Sequence, residues 1–238
     1  MVPVPLNHLA ASLRLGPREL ISIVGGGGKT TTLFALGSQL TGRVLLTTTT
    51  KMGAAQTGRL MTLDSPEDGD LRAALASGTV LVRNGADGHK AHGVDPVVCD
   101  RWFADASLVD HVVVEADGAR RQPFKAPRPF EPVIPATTTT VLACIGADAL
   151  GRVIMDQCFR PMRVAAVAGC RPADRLTPQR AAAVLSSERG SRKGVAPAMR
   201  FVVVVTKVEP ANRTLVDELS AELGGSAEII AIEYAPGA

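Results

Sequence analysis

Aromatic side chains are scarce in this sequence: six phenylalanines, one tryptophan and one tyrosine make up 3% of its 238 residues. A core with so few rings has to be built from Val, Leu, Ile and Ala, which favours a parallel sheet of aliphatic strands covered by helices. Long apolar runs are missing as well. The longest, such as residues 201–205, fall far short of the roughly 20 residues that cross a bilayer. No charged stretch at the N-terminus leads into an apolar segment, so neither a membrane span nor a secretory signal is expected. The net charge is only +3, from 26 basic and 23 acidic residues. A balance that close to neutral does not predict binding to nucleic acid or to a membrane surface. Cys99, Cys144, Cys158 and Cys170 are scattered, with no Cys-x-x-Cys pair. That pattern argues against a disulfide framework or a zinc ribbon and points to reduced thiols in the cytoplasm.

Apolar residues account for 46% of the chain, an ordinary share for a globular protein. The length suits a single domain over residues 1–238. Residues 6–15 read as a short leading helix within an N-terminal segment of about residues 1–19. Residues 20–24 form an apolar strand that ends in four glycines. Leu33, Leu36 and Leu40 then recur at helical spacing. A second strand begins at residues 44–46, residues 71–76 read as helix, and residues 80–82 as strand. The runs 112–114, 141–145 and 201–205 have no polar alternation, as expected of strands buried on both faces. A helix over 215–223 and a strand over 228–232 complete the pattern. Strands alternating with helices imply right-handed βαβ units. The expected fold class is α/β, P-loop NTPase-like, with a mostly parallel sheet flanked by helices on both faces. Irregular insertions are expected near 84–95, 119–135 and 169–197, the last with a helix around 179–185. Residues 119–135 contain five prolines and several basic residues, and a loop of that length is usually functional or mobile.

The strongest chemical signal is Gly25-Gly26-Gly27-Gly28-Lys29-Thr30-Thr31 between a strand and a helix. Wrapping a polyphosphate in backbone N–H groups requires residues without side chains that accept positive φ. The helix beyond points its positive end at the anion. Lys29 adds a point charge at the β and γ phosphates, and the Thr30 hydroxyl can ligate Mg²⁺. The usual Gly-x4-Gly-Lys-Ser/Thr spacing would place a glycine at position 23, where this chain has Ile23. The loop is therefore short or atypical.

A second signal is the strand end Val114-Glu115-Ala116-Asp117-Gly118. P-loop enzymes place an acid at such a strand end to hold Mg²⁺ or to orient water. The Glu-x-x-Gly spacing also lets a backbone N–H sense the γ-phosphate. Residues 47–51 follow the second strand with hydroxyls, and with Lys51, that could meet Mg²⁺ or phosphate. The threonines at 137–140 read as β-branched strand residues. Thr206-Lys207-Val208-Glu209 resembles the Asn-Lys-x-Asp signature of GTP-binding proteins, with Thr in place of Asn and Glu in place of Asp. His89 and His92 have no Cys or carboxylate cluster at ligand spacing beside them. Arg120, Arg121, Lys125 and Arg128, interleaved with Phe124 and Phe130, form a pattern that could contact RNA, a phosphate or an acidic partner, and read first as a solvated loop over part of the nucleotide site.

Taken together, several segments are similar to the YqeC-type selenium-dependent hydroxylase accessory proteins. They are residues 23–31, Leu-Thr-Thr-Thr-Thr-Lys-Met at 46–52, Val-Glu-Ala-Asp-Gly at 114–118, Phe-Lys-Ala-Pro at 124–127 and Glu-Pro-Val-Ile-Pro at 131–135. Gly-Ala-Asp-Ala-Leu-Gly at 146–151 and residues 206–209 fit the same order. The resemblance implies a P-loop NTPase fold and an accessory role in maturing molybdenum hydroxylases that need selenium. The client would be such a hydroxylase or its cofactor-assembly proteins. The Glu-x-x-Gly element is also similar to that of metallochaperone GTPases. The expected activity is Mg²⁺-dependent binding and slow hydrolysis of ATP or GTP. Lys29 and the amides of Gly25, Gly26, Gly27 and Gly28 would hold phosphate, with Thr31 beside them. Thr30 with Glu115 or Asp117 would hold the metal, and Thr206, Lys207 and Glu209 would lie at the base. The loop from Gly118 to Pro135 would change order with nucleotide. Two rival readings are an ATP-dependent ligase or small-molecule kinase with a short loop like that of the Mur ligases, and a nucleotide-binding regulator without turnover.

Overall fold

Strands made wholly of Val, Ile, Leu and Ala have no polar face to give to water, so they are stable only when covered on both sides. A computed structural model, which describes residues 1–233, shows this arrangement. Its main sheet has eight strands, numbered here in chain order: β1 Glu19–Gly25, β2 Val44–Thr48, β3 Met61–Asp64, β4 Val80–Arg83, β5 His111–Glu115, β6 Thr140–Gly146, β7 Arg200–Val208 and β8 Glu228–Glu233. Their spatial order is β8-β7-β6-β1-β5-β2-β4-β3, and every neighbouring pair is parallel. The fold is α/β, with helices on both faces of a parallel sheet, as expected of a P-loop NTPase-like chain.

Alternate residues of β1 divide the core in two. Ile21 and Ile23 face helices α1 (Leu9–Leu13) and α2 (Lys29–Gln39), with Val113, Leu142 and Val202 from the neighbouring strands. Leu20 and Val24 face the other side. That side is covered by α3 (Asp68–Ser77), α4 (Pro96–Ala104), α6 (Pro161–Ala168), α7 (Pro178–Ser186) and α8 (Arg213–Leu223), with a short α5 (Ile154–Gln157) before α6.

Register decides what meets at the carboxyl edge, where open α/β sheets bind their ligands. Ile23 pairs with Glu115 on one side and Leu142 on the other. Thr48 pairs with Glu115, and Gly146 with Thr206. The glycine loop, the acidic strand end and residues 206–209 therefore leave the sheet side by side. β1 runs two residues past Ile23 before the turn.

The irregular stretches hold more structure than their composition suggests. Residues 84–95 contain a hairpin, Ala86–Asp87 with Lys90–Ala91, which also pairs with Met52–Gly53. Within 119–135, Phe124–Lys125 pairs in parallel with Cys158–Phe159. Phe124, Lys125 and Ala126 are buried, so this segment is an internal strut rather than a solvated loop. Only Arg120, Arg121 and residues 128–130 of it stay exposed. Among the described residues no helix is long and apolar enough to cross a membrane.

Candidate functional site

Beyond Ile23 the chain turns through left-handed glycines, with φ of 95° at Gly25, 73° at Gly27 and 97° at Gly28. It is also tightly enclosed. A Cβ on Gly26 would lie 2.7 Å from the Gln122 carbonyl oxygen, and one on Gly27 would lie 2.8 Å from that of Pro123. Two loop amides are used internally, Gly26 N–H donating to Cys144 O and Gly27 N–H to Gln122 O, each at 3.0 Å. Gly25 N–H donates to Asp117 Oδ2 at 3.2 Å. The amides of Gly28, Lys29, Thr30 and Thr31 have no partner among the described residues, and Gly28 offers α2 no side-chain cap. An uncapped helix start presents its orphan N–H groups and the positive end of its dipole to whatever anion is there. In this conformation, then, the open donors begin at Gly28, one turn later than the glycine run alone suggests.

Lys29 is 5% exposed. Its Nζ donates to Gly25 O at 2.9 Å and stands 3.4 Å from Asp117 Oδ1 and 3.7 Å from Glu115 Oε1. Burial alone would lower its pKa, but the carboxylates of Asp117 and Glu115 outweigh that and raise it above the usual lysine value. The group is therefore a buried ammonium. Thr30 Oγ1 donates to Glu115 Oε2 at 2.8 Å. Asp117 Oδ1 is buried without a hydrogen-bond partner, an uncommon state for a carboxylate oxygen.

The charges continue away from the loop. Asp117 Oδ2 forms an ion pair with Lys125 Nζ at 2.9 Å. Lys125, 1% exposed, also donates to Gly118 O at 2.7 Å and to Glu131 Oε2 at 2.9 Å. Arg160 grips Glu131 with two nitrogens at 2.5 and 2.7 Å. Burial would raise the Glu131 pKa, but Arg160 and Lys125 bring it down to about 2. Arg160 is the N-cap residue of α6, and its guanidinium lies 4.4 Å from the centroid of the Phe159 ring. A file of alternating charges thus runs from the glycine loop to the start of α6.

The family described as YqeC protein matches residues 21–162, which include every member of this file. An Escherichia coli (strain K12) protein described as uncharacterized protein YqeC is 31% identical over 195 residues, covering 79% of this chain and 75% of the relative. The chain belongs to the YqeC family. No solved structure matches it.

The YqeC match ends before β7, whose carboxyl end carries residues 206–209. Thr206 Oγ1 donates to Gly27 O at 2.6 Å, so its hydroxyl braces the glycine loop. Lys207 takes φ of 56° and pairs with Asp148 Oδ2 at 2.6 Å. The Glu209 side chain and Asn212 form a capping box on the turn over Pro210–Asn212. Thr206 is therefore next to the glycine loop, and Lys207 and Glu209 lie on its exposed flank. The threonine run after β2 is also engaged. Thr47 Oγ1 donates to Val82 O, Thr48 Oγ1 to Glu115 O and Thr49 Oγ1 to Val133 O. These hydroxyls tie strand ends together, and Lys51 stays exposed. Two open clefts lie elsewhere, one between α1 and His111 at the amino edge and one beside α3.

The sequence alone does not show the role of Lys125, Glu131 and Arg160. Lys125 sits within a run that reads as a basic loop, and Arg160 carries no motif. The one available signal is the Lys-Ala-Pro and Glu-Pro-Val-Ile-Pro order, which says that these residues belong together but not that they close on Asp117.

Proposed function

We propose that this YqeC-family chain binds a Mg²⁺-nucleoside triphosphate and hydrolyses it slowly. It would serve as an accessory factor in the maturation of selenium-dependent molybdenum hydroxylases. The observation that carries the nucleotide reading is the convergence of Lys29 and Thr30, at the uncapped start of α2, on Glu115 and Asp117. A buried ammonium beside unpaired amides is a cradle for phosphate. Lys29 now rests on Gly25 O and two carboxylates, and a polyphosphate would draw it off them. The donor set also fits Mg²⁺, because Thr30 Oγ1, Glu115 and Asp117 Oδ1, which faces Lys29 but accepts no hydrogen bond, are hard oxygen ligands. When bound, the metal would neutralise phosphate charge. Among the described residues no cluster of three or more His, Cys, Asp or Glu side chains could hold a metal, so phosphate oxygens and water would complete the coordination. The maturation role rests on the family resemblance. Phe130, 68% exposed beside Arg128, would be an outward contact for a client on the exposed tip at residues 128–130.

The metal part is tested by measuring fluorescent ATP and GTP analogue affinity with Mg²⁺ and with EDTA. The intact protein is expected to bind about tenfold or more tighter with Mg²⁺, roughly 1.4 kcal/mol. Thr30→Val and Glu115→Gln should lose most of that difference and keep the EDTA affinity within about threefold, since neither change removes Lys29 or the α2 amides. Equal affinity with and without Mg²⁺ in the intact protein would exclude a metal role for these oxygens.

A further inference from the structure

Asp117 is shared between two lysines. Its Oδ1 faces Lys29 at 3.4 Å, and its Oδ2 faces Lys125 at 2.9 Å while accepting Gly25 N–H at 3.2 Å. Lys29 and Lys125 are respectively 5% and 1% exposed, so neither charge is relieved by water. Buried ions depend on their partners. If either lysine leaves, Asp117 falls wholly to the other. Lys125 in turn is fixed by Gly118 O and Glu131, and Glu131 by Arg160.

We infer that Lys125 is a positioning residue of the phosphate site: it holds Asp117 so that Lys29 can exchange this carboxylate for a nucleotide phosphate, and the Glu131–Arg160 pair sets where Lys125 stands. Lys125 itself touches no phosphate in this scheme. It acts by taking up the Asp117 charge at the moment Lys29 is withdrawn. The inference rests on the reading of Lys29 as the phosphate ligand. It gives a function to the Phe-Lys-Ala-Pro and Glu-Pro segments, which the nucleotide site does not otherwise use. It also extends the site to Phe159 and Arg160 at the start of α6, where Phe124–Lys125 pairs with Cys158–Phe159.

The test is a double-mutant cycle on nucleotide affinity, read by calorimetry on the full chain with Mg²⁺-ATP and Mg²⁺-GTP. Without Lys125, Asp117 holds Lys29 alone and phosphate must displace it. Lys125→Met is therefore expected to weaken binding about tenfold or more, while in an Asp117→Asn background the same change should alter it by less than about twofold. A Lys125 that merely supports the fold would give the same factor in both backgrounds, and that result would overturn the inference. Should Lys125→Met not fold alone, Lys125→Gln, which removes the charge and keeps a donor, replaces it in the cycle, and the same two outcomes support or overturn the inference. Absence of nucleotide binding by the intact protein would be a different failure. It would remove the nucleotide reading itself, and this inference with it.

Discussion

Glu131→Gln is expected to lower stability by about 3–5 kcal/mol at neutral pH, the usual result of removing one partner from a buried ion group. Lys125 and Arg160 would then face each other across a neutral amide. For a chain of this length that corresponds to a melting temperature lower by roughly 6–20 °C. The pH dependence gives a sharper signature. The Glu131 pKa is lowered from 4.5 to about 2 in the folded protein. A depressed carboxylate contributes stability that is fully present above its unfolded value and is lost as pH falls through its folded value. Glutamine resembles the protonated acid, so the gap between the two proteins should be largest above pH 4.5 and should close as pH falls toward about 2. The shift corresponds to about 3 kcal/mol, in line with the neutral-pH loss. Denaturant melts of both proteins at neutral pH and at successively lower pH would show it. A gap that stays constant across that range would mean that Glu131 is not held as a charged partner of Lys125 and Arg160.

Gly27→Ala is the second large effect. The position combines φ of 73° with a Cβ that would sit 2.7 Å from Gly146 Cα and 2.8 Å from Pro123 O, and closer still to Gly146 N. All of these neighbours are backbone, so no side chain can rotate away. Left-handed geometry costs about 1–2 kcal/mol, and overpacking commonly adds about 1–3 kcal/mol. A total of roughly 2–5 kcal/mol follows, and with it a displaced Gly27 carbonyl that no longer accepts from Thr206. Nucleotide affinity should fall with stability. Gly69→Ala is the control, because a Cβ at Gly69 in α3 meets nothing within 4 Å. Alanine suits a helix interior better than glycine, so this change should be neutral or slightly stabilising. Equal melting temperatures for the Gly27 and Gly69 variants would show that the glycine loop is free to relax.

The central strands are legible because a parallel sheet covered on both faces leaves a clear trace, an aliphatic run without alternation. The runs 112–114, 141–145 and 201–205 all carry it, and each is a sheet strand. β3 leaves no such trace. It is a four-residue edge strand, Met-Thr-Leu-Asp, none of whose residues is fully buried, and an edge imposes little hydrophobic pattern. α4 is missing from the sequence reading although its start carries a readable signal, Asp95 as cap accepting from Val97 N–H and Pro96 in the first turn. The site divides in the same way. Lys29, Thr30, Glu115 and Asp117 stand out because glycine spacing and a strand-terminal acid are local patterns. Lys125, Glu131 and Arg160 meet through pairing between Phe124–Lys125 and Cys158–Phe159, more than thirty residues apart, and no local pattern records that. The basic character of residues 119–130 points outward to solvent, whereas burial of Lys125 is possible only because Asp117 and Glu131 wait on either side of it.

The most direct measurement is calorimetric binding of Mg²⁺-ATP, Mg²⁺-GTP and Mg²⁺-CTP to the intact protein and to Lys29→Ala. At least one nucleotide should bind the intact protein, and the variant should lose about 100-fold or more in affinity, roughly 3 kcal/mol, because on the proposed reading the buried ammonium would be the principal counter-charge to phosphate. No binding by the intact protein at millimolar nucleotide, or equal binding by both proteins, would contradict the assignment of Lys29 and the start of α2 as a phosphate site.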